Sequence, residues 1–127
     1  MTHPVRFLPD PENTGSVIPV DEAIAHVVMA LWGAGILTYS SCQHDGQEPA
    51  AIEMTTENAA KLSPLLSRLA GRFAWAEAVS VEPLRGTGRN WKTGQSTELV
   101  ITGYDVLRFP FNLADRLARG IVSAGVS

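Results

Sequence analysis

Cys42 and His44 stand two residues apart in Ser40-Ser-Cys-Gln-His-Asp45, the densest run of reactive side chains in the sequence. A cysteine becomes a nucleophile when an imidazole takes its proton and a third group orients that imidazole, and Asp45 is the local candidate for the third part. The same pair suits zinc, with His26 or His3 supplying another ligand. Spacing speaks against both. There is no second cysteine, no CxxC and no HxxxH, and residues two apart in a loop rarely reach ion-pair geometry. The alternative keeps Cys42 as a small buried residue and His44 as a loop anchor that still touches a ligand. We therefore expect no catalytic group and no metal or other cofactor here.

Anion chemistry has a richer set of candidates. Arg85-Gly-Thr-Gly-Arg-Asn-Trp-Lys-Thr-Gly-Gln-Ser96 combines three cations with three glycines. Glycine-rich backbone can turn its N–H groups onto an anion. Arg85, Arg89 and Lys92 add charge, Trp91 adds a stacking face, and Asn90 adds a hydrogen-bonding edge. The run is neither GxxxxGK[ST] nor a GxGxxG set between strand and helix, and a plain hairpin loop is the competing explanation. Arg108, in Leu107-Arg-Phe-Pro110, would fork onto a phosphate or carboxylate from a strand, or pair with Asp105 or Glu82. Phe73 is a second stacking candidate.

These residues must be held by surrounding elements. Pro4, Pro9, Pro11 and Pro19 predict an extended arm over residues 1–20 with at most one strand, Val5–Leu8. Asp21 as N-cap, the stripe Ile24, Val27, Val28, Leu31 and Trp32, and Gly35 at the end predict a helix over 21–34. Ile36–Ser41 reads as a strand, the polar run 42–49 as a loop, and Ala50–Met54 as the returning strand. Thr55 or Thr56 caps a helix to about Ala70, with Leu62, Leu65, Leu66 and Leu69 inward. Pro64 inside it predicts a kink, or a restart with Ser63 as N-cap. Phe73–Leu84, Thr97–Thr102 and Tyr104–Phe109 read as strands around the polar loop 85–96, with a turn or bulge at Gly103. Pro110 opens a last helix to about Ser123, Leu113, Leu117 and Ile121 inward, Arg116 and Arg119 outward. Adjacent strands on short loops predict an α+β fold: a mainly antiparallel sheet of four to six strands with two to three helices packed on it, forming one domain over 21–127.

The 127 residues, 45% apolar and 18% charged, fit one globular domain rather than a disordered chain. A body this size, of radius of gyration roughly 14 Å, leaves little room for a deep private pocket. A shallow cleft or a subunit interface is the expected site, and a homo-oligomer is expected. No apolar run approaches a membrane span. The start lacks a signal peptide's basic head and apolar core, and the lone Cys42 excludes an intrachain disulfide, so we expect a cytoplasmic protein. The net charge of −3 disfavours direct nucleic-acid binding. It hides an asymmetry: residues 1–60 hold eight acids against Arg6, net −7, and residues 61–127 hold nine bases against five acids, net +4.

The segments Leu31-Trp-Gly-Ala-Gly-Ile-Leu-Thr38, Ser40-Ser-Cys-Gln-His44 and Val106-Leu-Arg-Phe-Pro110 resemble a pattern in short actinobacterial and phage domains, whose function is unassigned. There the Cys-Gln is followed by Gly-His, where this chain has His44-Asp45. In size, element order and a C-terminal strand arginine the chain is also similar to viral anti-defence sponges of the Thoeris system. That similarity implies a protein that sequesters a cyclic ADP-ribose signal without cleaving it, in the host cytoplasm, at sites shared by two subunits. The expected function is thus non-catalytic binding of an anionic small molecule, above all a nucleotide. The expected contacts are Arg85, Arg89, Asn90, Trp91, Arg108, Phe73, Cys42 and His44, with Arg108 the dominant anchor. A small Cys42/His44 enzyme and an acidic protein–protein inhibitor are the alternatives.

Overall fold

In the computed structural model, which describes residues 5–10, 15–42 and 49–125, the fold is α+β. Its main sheet is antiparallel and four-stranded, in the order β3-β4-β6-β5: β3 is Ser40–Cys42, β4 Ala50–Thr55, β5 Ser80–Arg89 and β6 Ser96–Phe109. Helices α1 (Ala25–Gly33) and α2 (Thr56–Ala70) both pack on α3 (Ala114–Gly125), and α2 packs on β4 and β6. Alternation along the strands explains the core. Ala50, Ile52 and Met54 are buried, and register sets Ala50 against Phe109 and Ile52 against Leu107, both also buried. Arg108 and Glu53 therefore point to the opposite side of the sheet.

The proline-rich start differs from the expected arm. Residues Val5–Pro9 (β1) and Val17–Asp21 (β2) form an antiparallel hairpin, and Leu8 and Val20 enter the core. Its prolines are tolerated because a two-stranded ribbon has outer edges where a missing N–H breaks no ladder. Asp21 ends β2 and precedes a 3-10 turn, Glu22–Ile24, with no side-chain cap bond. The expected strand at Ile36 begins only at Ser40: Ile36 is buried beneath the end of α1, with its N–H on the Leu31 carbonyl.

Helix α2 keeps its expected cap, since Thr55 Oγ1 accepts the Asn58 N–H at 3.2 Å. Pro64 neither ends nor restarts it. Ser63 Oγ donates back to the Ala59 carbonyl at 3.4 Å, as an interior helical serine does, so it is not a cap. Buried Leu62 and Leu69 on either side of the proline hold the helix together. After α2, residues Ala74–Ala78 form a 3-10 turn where a strand was expected. The last helix follows expectation, with Leu113, Leu117 and Ile121 buried and Arg116 and Arg119 exposed.

The region 85–96 is the largest departure. Arg85–Arg89 pairs with Ser96–Val100, so most of the expected loop is a β-ribbon running into β6 without a break. Between Pro83 and Arg85 the register shifts, opposite Gly103 at φ 91°, the bulge anticipated there. β4 covers β6 only along Tyr104–Phe109, so the ribbon projects past the sheet as a two-stranded arm.

Candidate functional site

The expected anion ligands are not gathered by the fold. Ser80 is the cross-strand neighbour of Arg108, and Arg89 lies at the far end of the same strand, about 30 Å away along its length. No single nucleotide spans that distance, so Arg108 and the far end of the arm belong to different places. Each cation is also engaged locally. Arg108 Nε lies 3.4 Å from Glu82 Oε2, the ion pair named as its alternative. Arg85 Nη1 lies 3.5 Å from Glu98 Oε1, and Arg89 Nε donates to the Gly94 carbonyl at 3.3 Å. Lys92 Nζ sits 5.3 Å from the centre of the Trp91 ring. Trp91 is 86% exposed at the arm's tip.

The arm's turn also supplies its own acceptor. Asn90 Oδ1 takes the N–H groups of Lys92 at 2.9 Å and Thr93 at 3.3 Å, while the Asn90 carbonyl takes that of Gly94 at 2.7 Å. Donors expected to converge on an anion converge on Asn90 instead. Gly86 and Gly88 lie in β5, not in the loop. A Cβ on Gly88 would stand 2.5 Å from Leu99 Cδ1, so this glycine makes room for a leucine lying across it. Cys42 ends β3, and His44 and His3 lie outside the described residues, so the thiol–imidazole and zinc expectations fall there. His26 is exposed on α1.

Phe73 leads to a groove between helices, whereas Arg85 borders a space of about 360 Å³ shared with its ion-pair partner Glu98. Phe73 stacks on Trp75 with ring centres 5.5 Å apart and planes 21° from parallel. The two rings follow α2 and lie beside α3, where Arg116, Arg119, Gly120 and Ser123 share the facing side. With Arg72 and Leu69 they line a groove of about 410 Å³. Its geometry follows from local chemistry. The Arg72 and Phe73 N–H groups both bond the Leu69 carbonyl, at 3.0 and 2.8 Å, which turns the chain sharply off the end of α2. Gly120 lets α3 approach: a Cβ there would stand 2.9 Å from Leu69 Cδ2 and 3.5 Å from Trp75 Cη2. Arg68 locks the helix ends by donating to the Ala124 carbonyl at 2.9 Å. Arg72, Arg116 and Arg119 make no side-chain hydrogen bond or ion pair with any described residue. Three arginines without such a partner among the described residues thus line one groove with an apolar floor and a stacked aromatic wall.

A second pocket, of about 220 Å³, lies among Asp10, Trp32, Thr38, Tyr39, Thr55 and Asn58. Its polar groups bond one another: Trp32 Nε1 donates to Thr38 Oγ1 at 3.0 Å, and the Leu37 N–H donates to Asn58 Oδ1 at 3.0 Å. It ties α1, the following loop and α2 together.

Sequence reasoning missed Arg72, Trp75, Arg116 and Arg119 as a group. The available signal was Arg72-Phe-Ala-Trp75 just past a helix end, with two arginines three apart on the outward face of another helix. No family model, curated protein or solved structure matches the chain. Among the described residues no helix is long and apolar enough to cross a membrane.

Proposed function

We propose that the protein binds an anionic small molecule carrying a flat apolar group, a nucleotide above all, in the groove between α2 and α3. One observation carries this reading: Arg72, Arg116 and Arg119, without a hydrogen-bond or ion-pair partner among the described residues, line one groove with the stacked Phe73 and Trp75. Guanidinium groups give bidentate donors to phosphate, and the aromatic wall suits a base. A groove of about 410 Å³ falls within the common range for ligand sites, roughly 300–1,000 Å³. Its described lining residues hold no carboxylate, thiol or imidazole, and one hydroxyl, that of Ser123; in this reading the ligand is retained without turnover. That is the behaviour implied by the likeness to viral sponges, and it makes cyclic nucleotides part of the test.

Calorimetry decides the matter with adenosine, adenosine monophosphate, cyclic ADP-ribose and pyrophosphate. We expect binding of the phosphate-bearing aromatics, weaker binding of pyrophosphate, and none of adenosine. Charge-assisted hydrogen bonds contribute roughly 1.5–3 kcal/mol each, so Arg119→Ala should weaken binding about ten- to a hundredfold. Arg108→Ala and Arg89→Ala should leave it unchanged. No binding to the parent chain, or equal binding to Arg119→Ala, overturns the proposal.

A further inference from the structure

The groove between α2 and α3 has a neighbour across α3. Residues four apart on a helix lie one above the other, so three adjacent rows run along the outer part of α3. Arg116 and Gly120 form the row beside α2, Arg119 and Ser123 the crest, and Ala118 and Val122 the row beside α1. Both crest residues line the groove, and both also line a second hollow, of about 290 Å³, on the other side. There they are joined by Ala30 of α1, Ala118 and Val122. Small, buried Ala30 and Ala118 leave the hollow, and Val122, 55% exposed, borders it. Beyond the crest its described lining is aliphatic, without a charge or a hydrogen-bonding side chain.

The two spaces share Arg119 and Ser123 and differ in chemistry, aromatic and cationic on the α2 side, aliphatic on the α1 side. Arg119, common to both, says what reaches the aliphatic side. A guanidinium holds a phosphate by its charge and by paired N–H donors. A phosphate has oxygens to spare, so one can join the sugar of a nucleotide and another a second substituent. We infer that the ligand is a nucleotide whose phosphate also carries an aliphatic arm. The inference rests on the nucleotide reading of the α2–α3 groove and adds a ligand class to it. The base stacks at Phe73 and Trp75, and Arg119 holds the phosphate at the crest. The arm then crosses α3, about 10 Å wide with its side chains, into the hollow beside Val122. Its burial takes apolar surface of both the arm and Val122 out of water.

Calorimetry with adenosine monophosphate and its methyl and butyl phosphate esters tests it. The two esters share base and charge and differ by three methylenes, each worth roughly fourfold when fully buried. In an open hollow we therefore expect the butyl ester to bind about tenfold more tightly than the methyl ester. Val122→Ser removes the aliphatic border without setting a charge beside Arg119. It should leave the methyl ester's affinity, the circular dichroism spectrum and the melting temperature near the parent's, and cut the butyl gain to about threefold or less. If adenosine monophosphate binds but the esters bind equally or not at all, or if Val122→Ser keeps the full gain, this inference falls and the groove reading stands. If adenosine monophosphate does not bind either, both fall.

Discussion

The arm and the helix groove draw on the same residue types, arginine and tryptophan, and the fold uses them in opposite ways. In the arm every cation is engaged nearby: Arg85 with Glu98, Arg89 with the Gly94 carbonyl, Lys92 over Trp91. In the groove Arg72, Arg116 and Arg119 line one space with no acid among the described lining residues. Cations of like sign held near one another repel, and a bound phosphate would relieve that repulsion. A cluster of basic residues in sequence is thus a weaker sign of an anion site than cations that packing holds apart from acids.

That contrast is broken most easily by removing the cations. Arg116→Ala combined with Arg119→Ala should lower nucleotide affinity by about a hundredfold or more, read by calorimetry, since two charge-assisted contacts go together. If affinity survives, the groove is only a surface feature of two packed helices.

A smaller effect is expected from filling the groove's floor. Gly120→Val would press new methyl groups against buried Leu69. It should cost about 1–3 kcal/mol of stability, as overpacking does, measured as a lower urea midpoint at unchanged slope. Ligand affinity should fall in parallel if Gly120 sets the spacing of Arg116 and Arg119.

Phe73→Ala sharpens the comparison at the aromatic wall. Aromatic pairs contribute roughly 0.5–1.5 kcal/mol beyond their burial, so we expect a two- to tenfold loss of affinity for base-bearing ligands. Pyrophosphate should bind as before. A variant equally impaired toward pyrophosphate would show that Phe73 supports the arginines rather than a base.

The smallest effects belong to the engaged cations. Arg85→Ala and Arg108→Ala each remove a half-exposed ion pair, and such pairs contribute about 0–1 kcal/mol. Thermal unfolding should shift by little, and nucleotide binding not at all. A large loss of binding with Arg108→Ala would restore the strand arginine as the anchor.

Much of the fold was legible because local chemistry and packing agreed. Thr55 caps α2, Leu117 and Ile121 of α3 are inward, and Ile52 and Leu107 alternate into the core as their strands require. Legibility failed where a residue type has two uses. Gly86 and Gly88 look like loop glycines but clear space for side chains of the facing strand. Pro9 and Pro19 look like breakers but sit harmlessly in a ribbon with open edges. The groove was less legible still. Its members come from two segments more than forty residues apart, brought together by the packing of Leu69 and Trp75 on Gly120 and the bond from Arg68 to the Ala124 carbonyl. Phe73 was visible alone, while Arg116 and Arg119 read as an ordinary solvated helix face.

The central claim is that the anion is held by the helices and not by the arm, and the tryptophans report on both places at once. Trp75 forms the groove's wall, and Trp91 stands at the arm's tip. Titrating adenosine monophosphate into isotopically labelled protein while following the indole N–H signals by NMR separates the two. The account expects saturable movement of the Trp75 indole, together with the backbone signals of Arg116 and Arg119, while Trp91 stays in place. Movement of Trp91 with Asn90 and Arg89, and a still Trp75, would contradict it.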